Sequence, residues 1–327
     1  MISPSFWYPS KNSFMAALLS PFENITAYVT RRRLQKRGWK ASVPVICCGN
    51  LTVGGSGKTT IALALGRFCL QYHIQPAFLT RGYGRKNRKK TPFQVDLKKH
   101  SVEVVGDEAL LLAQVAPTWV CADRAKAAQA AIQHGAELLI MDDGFQNPTL
   151  YQDLPLLIID GIAGFGNGHL LPAGPLREPI QSGIRRAKAI IMIGEDRHHL
   201  FPELASKLPV FYAFLKMNPE IKKLATKKVV AFAGIGRPEK FFQSLHDAGV
   251  YPVQTVAFPD HYNYRSRDLA KLAAVAFHHQ AVLLTTPKDY VRLPSTFKKY
   301  VTFVDVTLQW QNPNAVSDLM AFLGLKL

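Results

Sequence analysis

The stretch GNLTVGGSGKTT, residues 49–60, follows an apolar run, Val45-Ile46-Cys47-Cys48, and precedes another that begins Ile61-Ala62-Leu63-Ala64-Leu65. A phosphate loop reads Gly, four residues, then Gly-Lys-Ser/Thr. Counted back from Gly57-Lys58-Thr59, its first position falls on Thr52 rather than on a glycine. The surroundings still supply a buried strand ending at Cys48, a glycine-rich turn, and a helix with apolar residues at Ile61, Leu65, Phe68, Cys69 and Tyr72. Glycines let successive backbone N–H groups turn inward, and the helix N-terminus adds its positive end, so a di- or triphosphate can be held with few side chains. Thr52, Val53, Gly54, Gly55, Ser56, Gly57, Lys58 and Thr59 are the expected ATP-binding set, with Lys58 reaching the outer phosphates and the Thr59 hydroxyl holding Mg2+. The competing reading is a glycine-rich turn that merely enters a helix. Lysine and threonine at the positions phosphate chemistry requires weigh against it.

Working outward, further strands are expected at 77–80, 118–122, 137–141, 156–160 and 189–193, with helices between several of them. That alternation implies an α/β fold, a P-loop NTPase-like and mostly parallel sheet flanked by helices. A second, smaller α/β domain opens near Lys227: residues 229–233 are apolar, Gly234-Ile235-Gly236 turns, and Arg237-Pro238-Glu239 starts a helix that stops at Gly249. A later strand is expected at 282–284. The turn lacks the third glycine of a dinucleotide fingerprint, which argues against a second cofactor. Two extended runs, 210–216 and 301–306, are expected to pair as a two-stranded linker. The resulting domains are an N-terminal helical segment (1–40), a P-loop core (41–208), linker strands (209–218 and 300–308), a C-terminal α/β domain (219–299) and a closing helix (309–327).

With 327 residues, 48% of them hydrophobic, the chain can bury a sizeable core. Its four cysteines, Cys47, Cys48, Cys69 and Cys121, show no C-x-x-C spacing, so reduced thiols are expected and a zinc site is not. The net charge of +17 implies an anionic partner: nucleic acid, a phosphorylated substrate or an acidic lipid surface. Basic residues cluster in two blocks, one from Arg31 to Lys40 and one from Arg81 to Lys90. The ordinary reading of each is a solvated face or loop.

The segment before the first block is unusual. Phe6-Trp7-Tyr8 is followed by Phe14, Leu18, Phe22, Ile25 and Val29 at spacings of three and four, one helical stripe. Ser20-Pro21-Phe22-Glu23 reads as a capping box that restarts a helix. Pro21, Glu23 and Asn24 interrupt any run long enough to span a bilayer, and charge follows the apolar stretch instead of preceding it, so neither a transmembrane span nor a signal peptide is expected. An apolar stripe followed by arginines suits a helix lying in a membrane interface. A helix packed on the protein's own core suits the pattern equally well.

Loops at the C-terminal ends of parallel strands are where ligands bind. Leu138-Leu139-Ile140-Met141 delivers Asp142 to that edge, and Asp142 and Asp143, being adjacent, cannot point the same way. One is expected to serve the metal while the other faces the acceptor or a basic neighbour. A solvated Asp-Asp-Gly turn is the alternative.

Seven ordered motifs then accumulate: GNLTVGGSGKT (49–59), TRGYGR (80–85), GDEA (106–109), DDGFQ (142–146), LLPAGPLREP (170–179), FPDHY (258–262) and TTPKD (285–289). Together they resemble the tetraacyldisaccharide 4'-kinase family, the lipid A 4'-kinases of Gram-negative bacteria, in which a threonine opens the phosphate loop. The resemblance implies transfer of the γ-phosphate of ATP to the 4'-hydroxyl of an acylated glucosamine disaccharide 1-phosphate, with Mg2+, at the cytoplasmic face of the inner membrane, the chain being peripheral or monotopic there. It implies Asp107 as catalytic base and His261 as its orienting partner, the domains closing to complete the site. Their ordinary readings are a helix-cap aspartate and a turn histidine. Asp142, Asp143 and Glu178 are the acids implied near the metal or the phosphates, and Arg81, Tyr83 and Arg177 are candidates for contacting phosphate or sugar.

Two rivals remain from other classes. A P-loop ATPase or nucleotide switch could use the positive charge to bind nucleic acid, but no aromatic-interleaved basic stripe supports this. In TTPKD, moreover, lysine directly precedes aspartate, which is the wrong spacing for a guanine reader. A structural membrane-surface protein with a vestigial loop is the other.

Overall fold

The computed structural model describes residues 4–8, 14–85 and 91–325. Lys86, Arg88, Lys89 and Lys90 of the second basic block lie outside the described residues. Among these, the strands are β1 (Val45–Gly49), β2 (Pro76–Thr80), β3 (Phe93–Gln94), β4 (Thr118–Val120), β5 (Leu138–Asp142), β6 (Leu154–Asp160), β7 (Ala189–Ile193), β8 (Val210–Met217), β9 (Val229–Ala233), β10 (Gln254–Ala257), β11 (Val282–Thr285), β12 (Val301–Phe303) and β13 (Val306–Trp310). The α-helices are α1 (Phe14–Leu19), α2 (Glu23–Leu34), α3 (Lys58–Gln71), α4 (Val102–Val105), α5 (Asp107–Ala113), α6 (Arg124–Gln133), α7 (Ile180–Arg186), α8 (Phe201–Ala205), α9 (Pro238–Asp247), α10 (Ser266–His279), α11 (Pro287–Arg292), α12 (Ser295–Lys298) and α13 (Ala315–Ala321).

The larger sheet runs β13-β8-β7-β6-β1-β5-β2-β4-β3. From β8 to β4 its neighbours pair in parallel, and β3 is antiparallel to β4. Every residue of β1, β2, β5, β6 and β7 is buried, as a parallel sheet covered on both faces requires. Side chains alternate across these strands. Val45, Cys47, Leu139 and Met141 join Ala127, Ala128 and Ala131 of α6 in one core. Phe78 of β2 faces the other way, against α3, where a Cβ on Gly66 would come within 2.4 Å of its ring. The register sets Cys48 of β1 beside Asp142, the last residue of β5.

The chain divides into two compact units, a larger one of Pro4–Phe214 with the residues from Leu308 onward, and a smaller one of Leu215–Thr307. It passes between them within β8 and within β13. The expected linker pairing shifts accordingly: Val301–Phe303 forms β12, paired in parallel with β11 in the small sheet, and Val306–Trp310 is the strand that neighbours β8. The small sheet runs β10-β9-β11-β12, all parallel, with β9 fully buried.

The N-terminal helices bury the opposite face from a core helix. Phe14, Leu18, Phe22, Ile25, Tyr28 and Val29 are all at least 50% exposed. Docking is polar instead: Thr26 Oγ1 donates to Leu171 O at 2.7 Å and Thr30 Oγ1 to Arg177 O at 3.1 Å, while Glu23 accepts from Leu170 N at 3.0 Å and contacts His169 Nδ1 at 2.7 Å. Residues 23, 26 and 30 form one stripe, so the apolar stripe points away from the protein. The expected capping box is absent: Ser20 Oγ donates to Ala17 O, and Glu23 is engaged by the 169–170 backbone and ring. Lys40, counted in the first basic block, is turned onto Asp153 and the Tyr151 ring. Among the described residues no helix is long and apolar enough to cross a membrane.

Candidate active site

The phosphate loop leaves β1 and enters α3 through Gly57, whose left-handed φ of 82° caps the helix. A Cβ on Gly54 or Gly55 would meet nothing within 4 Å, so the glycines leave the loop's concave side open for a ligand to approach the backbone. Asn50 organises the loop from within: its Nδ2 donates to Ser56 Oγ at 2.9 Å and Thr52 Oγ1 at 3.1 Å, and its Oδ1 accepts from Lys58 Nζ at 3.3 Å. The N–H of Val53 is committed to Pro175 O at 2.8 Å. Val53 therefore anchors the loop to the neighbouring segment instead of offering a donor to phosphate.

That neighbouring segment is LLPAGPLREP, which straps the loop: Thr52 bridges Leu176, and Arg177 N donates to Leu51 O at 2.7 Å. Its other edge carries the contacts to α2 described above.

The two adjacent aspartates diverge. Asp142, 1% exposed, accepts from Thr59 Oγ1 at 3.0 Å through Oδ2. Asp143 adopts a φ of 52°, a left-handed conformation aspartate tolerates, and turns to the cations: Arg177 Nη1 lies 2.9 Å and Lys58 Nζ 3.6 Å from its Oδ1. Burial by itself would raise the Asp143 carboxyl, but the charges of Lys58 and Arg177 outweigh it and hold the group well below the ordinary carboxylate range. A carboxyl depressed in the folded state stabilises the fold above its unfolded pKa of about 3.9, and that contribution is lost as pH falls below it. With 36% of the side chain exposed, solvent screening limits the gain. Asp143→Asn is expected to flatten the fall of the melting midpoint between about pH 5 and pH 3. Superimposable acid limbs for both proteins would contradict that linkage.

Glu178, 1% exposed, accepts through Oε1 from Arg186 Nη2 at 2.5 Å and from Gln146 Nε2 at 2.9 Å. Gln146 also donates to Asn50 O at 2.8 Å and accepts from Arg177 Nη1 at 3.3 Å, so Glu178 joins the loop network through it.

Asp107 is the first residue of α5, after Gly106 at the N-cap, and is 2% exposed. Its Oδ1 accepts from Glu108 N at 2.9 Å. Gly106 has a φ of 87°, and a Cβ there would sit 2.5 Å from Tyr83 O, so GDEA interlocks with the TRGYG loop at a contact only glycine allows. Tyr83 itself is 60% exposed beside it. His261 belongs to the smaller unit. It occupies a turn at φ 56°, with Nδ1 3.4 Å from Arg292 Nη2 and Nε2 3.9 Å from Asp260 Oδ2. A guanidinium only donates, so Nδ1 is the acceptor and, in the neutral ring, Nε2 carries the proton.

Lys58, Asp143, Arg177 and Glu178 thus share one network, Thr59 and Asp142 form a pair at the adjoining positions, Asp107 packs on the loop carrying Tyr83, and His261 has its own surroundings in the small unit. For a magnesium ion the hard oxygens of Thr59 and Asp142 are apt ligands, and Glu178 Oε2 is buried with no hydrogen-bond partner among the described residues. Among the described residues no group of three or more His, Cys, Asp or Glu forms a ready-made cage.

The structure adds residues to which no motif assigns a role. Arg124, 2% exposed at the start of α6, donates to Cys121 O; burial draws its guanidinium down to about 10 against the opposing charges of Asp143 and Asp142. Asn50, Gln146 and Arg186 were unassigned as well. Asn50 and Gln146 lie inside recognised motifs, so a signal existed; Arg124 and Arg186 carry none. All four cysteines are free and buried, and burial pushes the thiols of Cys47, Cys48 and Cys69 up, the last to about 12, leaving them inert at neutral pH.

Known proteins share this sequence and fold almost end to end. The sequence model of the family Tetraacyldisaccharide-1-P 4'-kinase matches residues 15–323. Tetraacyldisaccharide 4'-kinase of Gluconacetobacter diazotrophicus is 51% identical over 320 residues, covering 98% of this chain and 97% of the relative. Its namesake in Gluconobacter oxydans is 48% identical with the same coverage. The solved structure of LpxK from Aquifex aeolicus in complex with ATP is similar with a TM-score of 0.74 at 28% identity, covering 94% of this chain and 99% of that one. A phosphate loop with its lysine, threonine and paired aspartates, set in a chain matched almost end to end, therefore has one parentage: the chain belongs to the tetraacyldisaccharide-1-P 4'-kinase family.

Proposed function

We propose that this chain transfers the γ-phosphoryl group of ATP to the 4'-hydroxyl of a tetraacylated glucosamine disaccharide 1-phosphate, working on an acceptor whose fatty chains remain in an anionic membrane surface. The observation that carries this reading is the double attachment of the LLPAGPLREP strap. One edge is bonded to the phosphate loop through Leu176 and the Arg177 N–H, and the other to α2, whose apolar side chains point outward. A water-soluble nucleotide and an amphiphilic acceptor are thereby served by one ten-residue segment.

In the proposed reaction Lys58 neutralises charge on the transferring phosphoryl group, and Thr59, Asp142 and Glu178 would hold the Mg2+ that accompanies ATP, which would supply further neutralisation. Asp143 and Arg177 hold Lys58 and each other in place. Asp107 takes the proton of the 4'-hydroxyl as that oxygen bonds to the γ-phosphorus and the bond to the β,γ-bridging oxygen breaks, releasing ADP. His261 is its orienting partner on the strength of the family resemblance, and Arg81 and Tyr83 are assigned to the sugar or its phosphate on the same ground. The connection through β8 and β13 is the proposed interdomain linker.

The rival guanine-nucleotide reading loses support from TTPKD, because Asp289 is fully buried among Tyr264, Arg292 and the Gly234 N–H rather than available to a base. The test is direct: with ATP labelled in its γ-phosphate, label is expected on a lipid disaccharide 1-phosphate in detergent micelles. ATP consumption indifferent to that glycolipid overturns the proposal. For the membrane surface, Ile25→Glu combined with Val29→Glu is expected to reduce binding to vesicles containing anionic lipid by about tenfold or more, since both apolar burial and charge attraction are lost. Nucleotide affinity should stay unchanged, and vesicle binding equal to that of the parent chain would show that this face does not meet lipid.

A further inference from the structure

Glu178 is held by one oxygen only. Its Oε1 accepts from both Arg186 Nη2 and Gln146 Nε2, whereas Oε2 is buried and has no hydrogen-bond partner among the described residues. Arginine ordinarily grips a carboxylate with two parallel N–H bonds, which would occupy both oxygens. Here the fork is divided. Arg186 Nη1 donates to Phe145 O at 2.8 Å, and the guanidinium carbon lies 4.4 Å from the centre of the Phe145 ring. Nη2 reaches the glutamate, while Nε, also buried, has no hydrogen-bond partner among the described residues. Gln146 is equally constrained: its Oε1 faces Arg177 Nη1 and its Nε2 faces Asn50 O, so the amide cannot be turned without setting like groups against each other at both ends. Both partners of Glu178 thus converge on the same oxygen.

A buried carboxylate oxygen without a partner is costly, and a fold keeps one when something outside the chain satisfies it. We propose that Arg186 is a positioning residue: with Gln146 it saturates Oε1 of Glu178 so that Oε2 is presented to the Mg2+ that accompanies the nucleotide. This rests on the kinase reading above. Arg186 does not itself touch the nucleotide; it acts through the glutamate, as the outer partners of metal ligands do. The stacking on Phe145 matters because it sets the plane of the guanidinium, and Phe145 belongs to the same DDGFQ segment that supplies Asp142, Asp143 and Gln146.

The experiment titrates Mg2+ into the full chain with a fluorescent, non-hydrolysable ATP analogue, taking binding in EDTA as the baseline and melting temperature as a control for folding. Arg186→Met and Glu178→Gln should each raise the Mg2+ concentration at half-saturation by about tenfold or more, while binding in EDTA stays within about twofold. The double variant should be no worse than either single one, because both interrupt one path. Arg186→Lys, which keeps the charge but cannot divide a planar fork between Phe145 O and Glu178, should fall between the parent and Arg186→Met. Removing one member of a buried pair also destabilises the fold; should Arg186→Met not fold, Arg186→Lys and Glu178→Gln decide the matter. A lowered melting temperature with an unshifted Mg2+ titration in the folded variants makes the pair purely structural and overturns the proposal. Failure of the unmodified chain to bind the analogue at any Mg2+ concentration removes the kinase reading instead, so the two failures are distinguishable.

Discussion

Asp107→Asn is expected to lower kcat by about 10²- to 10⁴-fold, the range that a positioned general base contributes, while leaving ATP affinity within about twofold. The separation follows from where Asp107 sits. It belongs to α5 and packs on the TRGYG loop, whereas the bonds that organise the phosphate loop run from Asn50 through Lys58 and Asp143 to Arg177, Gln146 and Glu178. Asparagine has the same shape and still accepts from the Glu108 N–H. What disappears is the basic oxygen, along with a negative charge at a helix N-terminus that contributes about 0.3–1 kcal/mol to stability. A single-turnover measurement with saturating glycolipid reads the chemical step, and a nucleotide titration reads affinity. Loss of affinity in proportion to rate would place Asp107 in nucleotide binding; an unchanged rate would remove it from the reaction.

The second large effect is on stability and arises in the smaller unit. Asp289→Ala should destabilise that unit by about 3–5 kcal/mol, the usual result of leaving a buried charge without its partner, against a typical total of about 5–15 kcal/mol for a domain. Asp289 is fully buried. Its Oδ1 accepts from Gly234 N at 2.9 Å, Tyr264 OH at 2.8 Å and Arg292 Nη1 at 3.0 Å, and its Oδ2 from Thr286 Oγ1 at 2.7 Å. Burial and then the charge of Asp289 push the Tyr264 hydroxyl far above its ordinary range, so it remains a proton donor throughout. Truncation would strand the Arg292 guanidinium, whose side chain is 4% exposed, and the same guanidinium reaches His261. Urea unfolding followed by hydrogen exchange of β9 and β11 amides would report the loss. A change below about 1 kcal/mol would show that the network is less tightly coupled than its geometry implies.

How much of this was legible beforehand varies with the range over which the information is spread. The β1-loop-α3 unit was readable because its signals are contiguous: an apolar strand, glycines where the backbone must turn, and a lysine and threonine at a helix start. The β9-turn-α9 unit was readable for the same reason. The divergence of Asp142 and Asp143 was expected from the alternation of side chains on a strand, although nothing local stated which of them would meet Thr59. The linker pairing was misplaced because 301–303 and 306–310 are both short extended runs, and only the ordering of the two sheets separates them. At Ser20 the capping pattern was present, but Glu23 found better partners at His169 and Leu170, more than a hundred residues away.

The sequence by itself determined the α/β class, the phosphate loop, the order of acid-bearing strand ends and the presence of a second α/β unit, because hydrophobic period, glycine placement and helix signals act over a few residues. Tertiary structure alone decided that the apolar stripe of α2 faces outward, that LLPAGPLREP joins that helix to the phosphate loop, that Arg124 is buried near the aspartates, and that Arg186 holds one oxygen of Glu178. Each of these is a contact between segments far apart in the chain. Such contacts are set by strand order and register, and these emerge only when the whole sheet buries its two faces together.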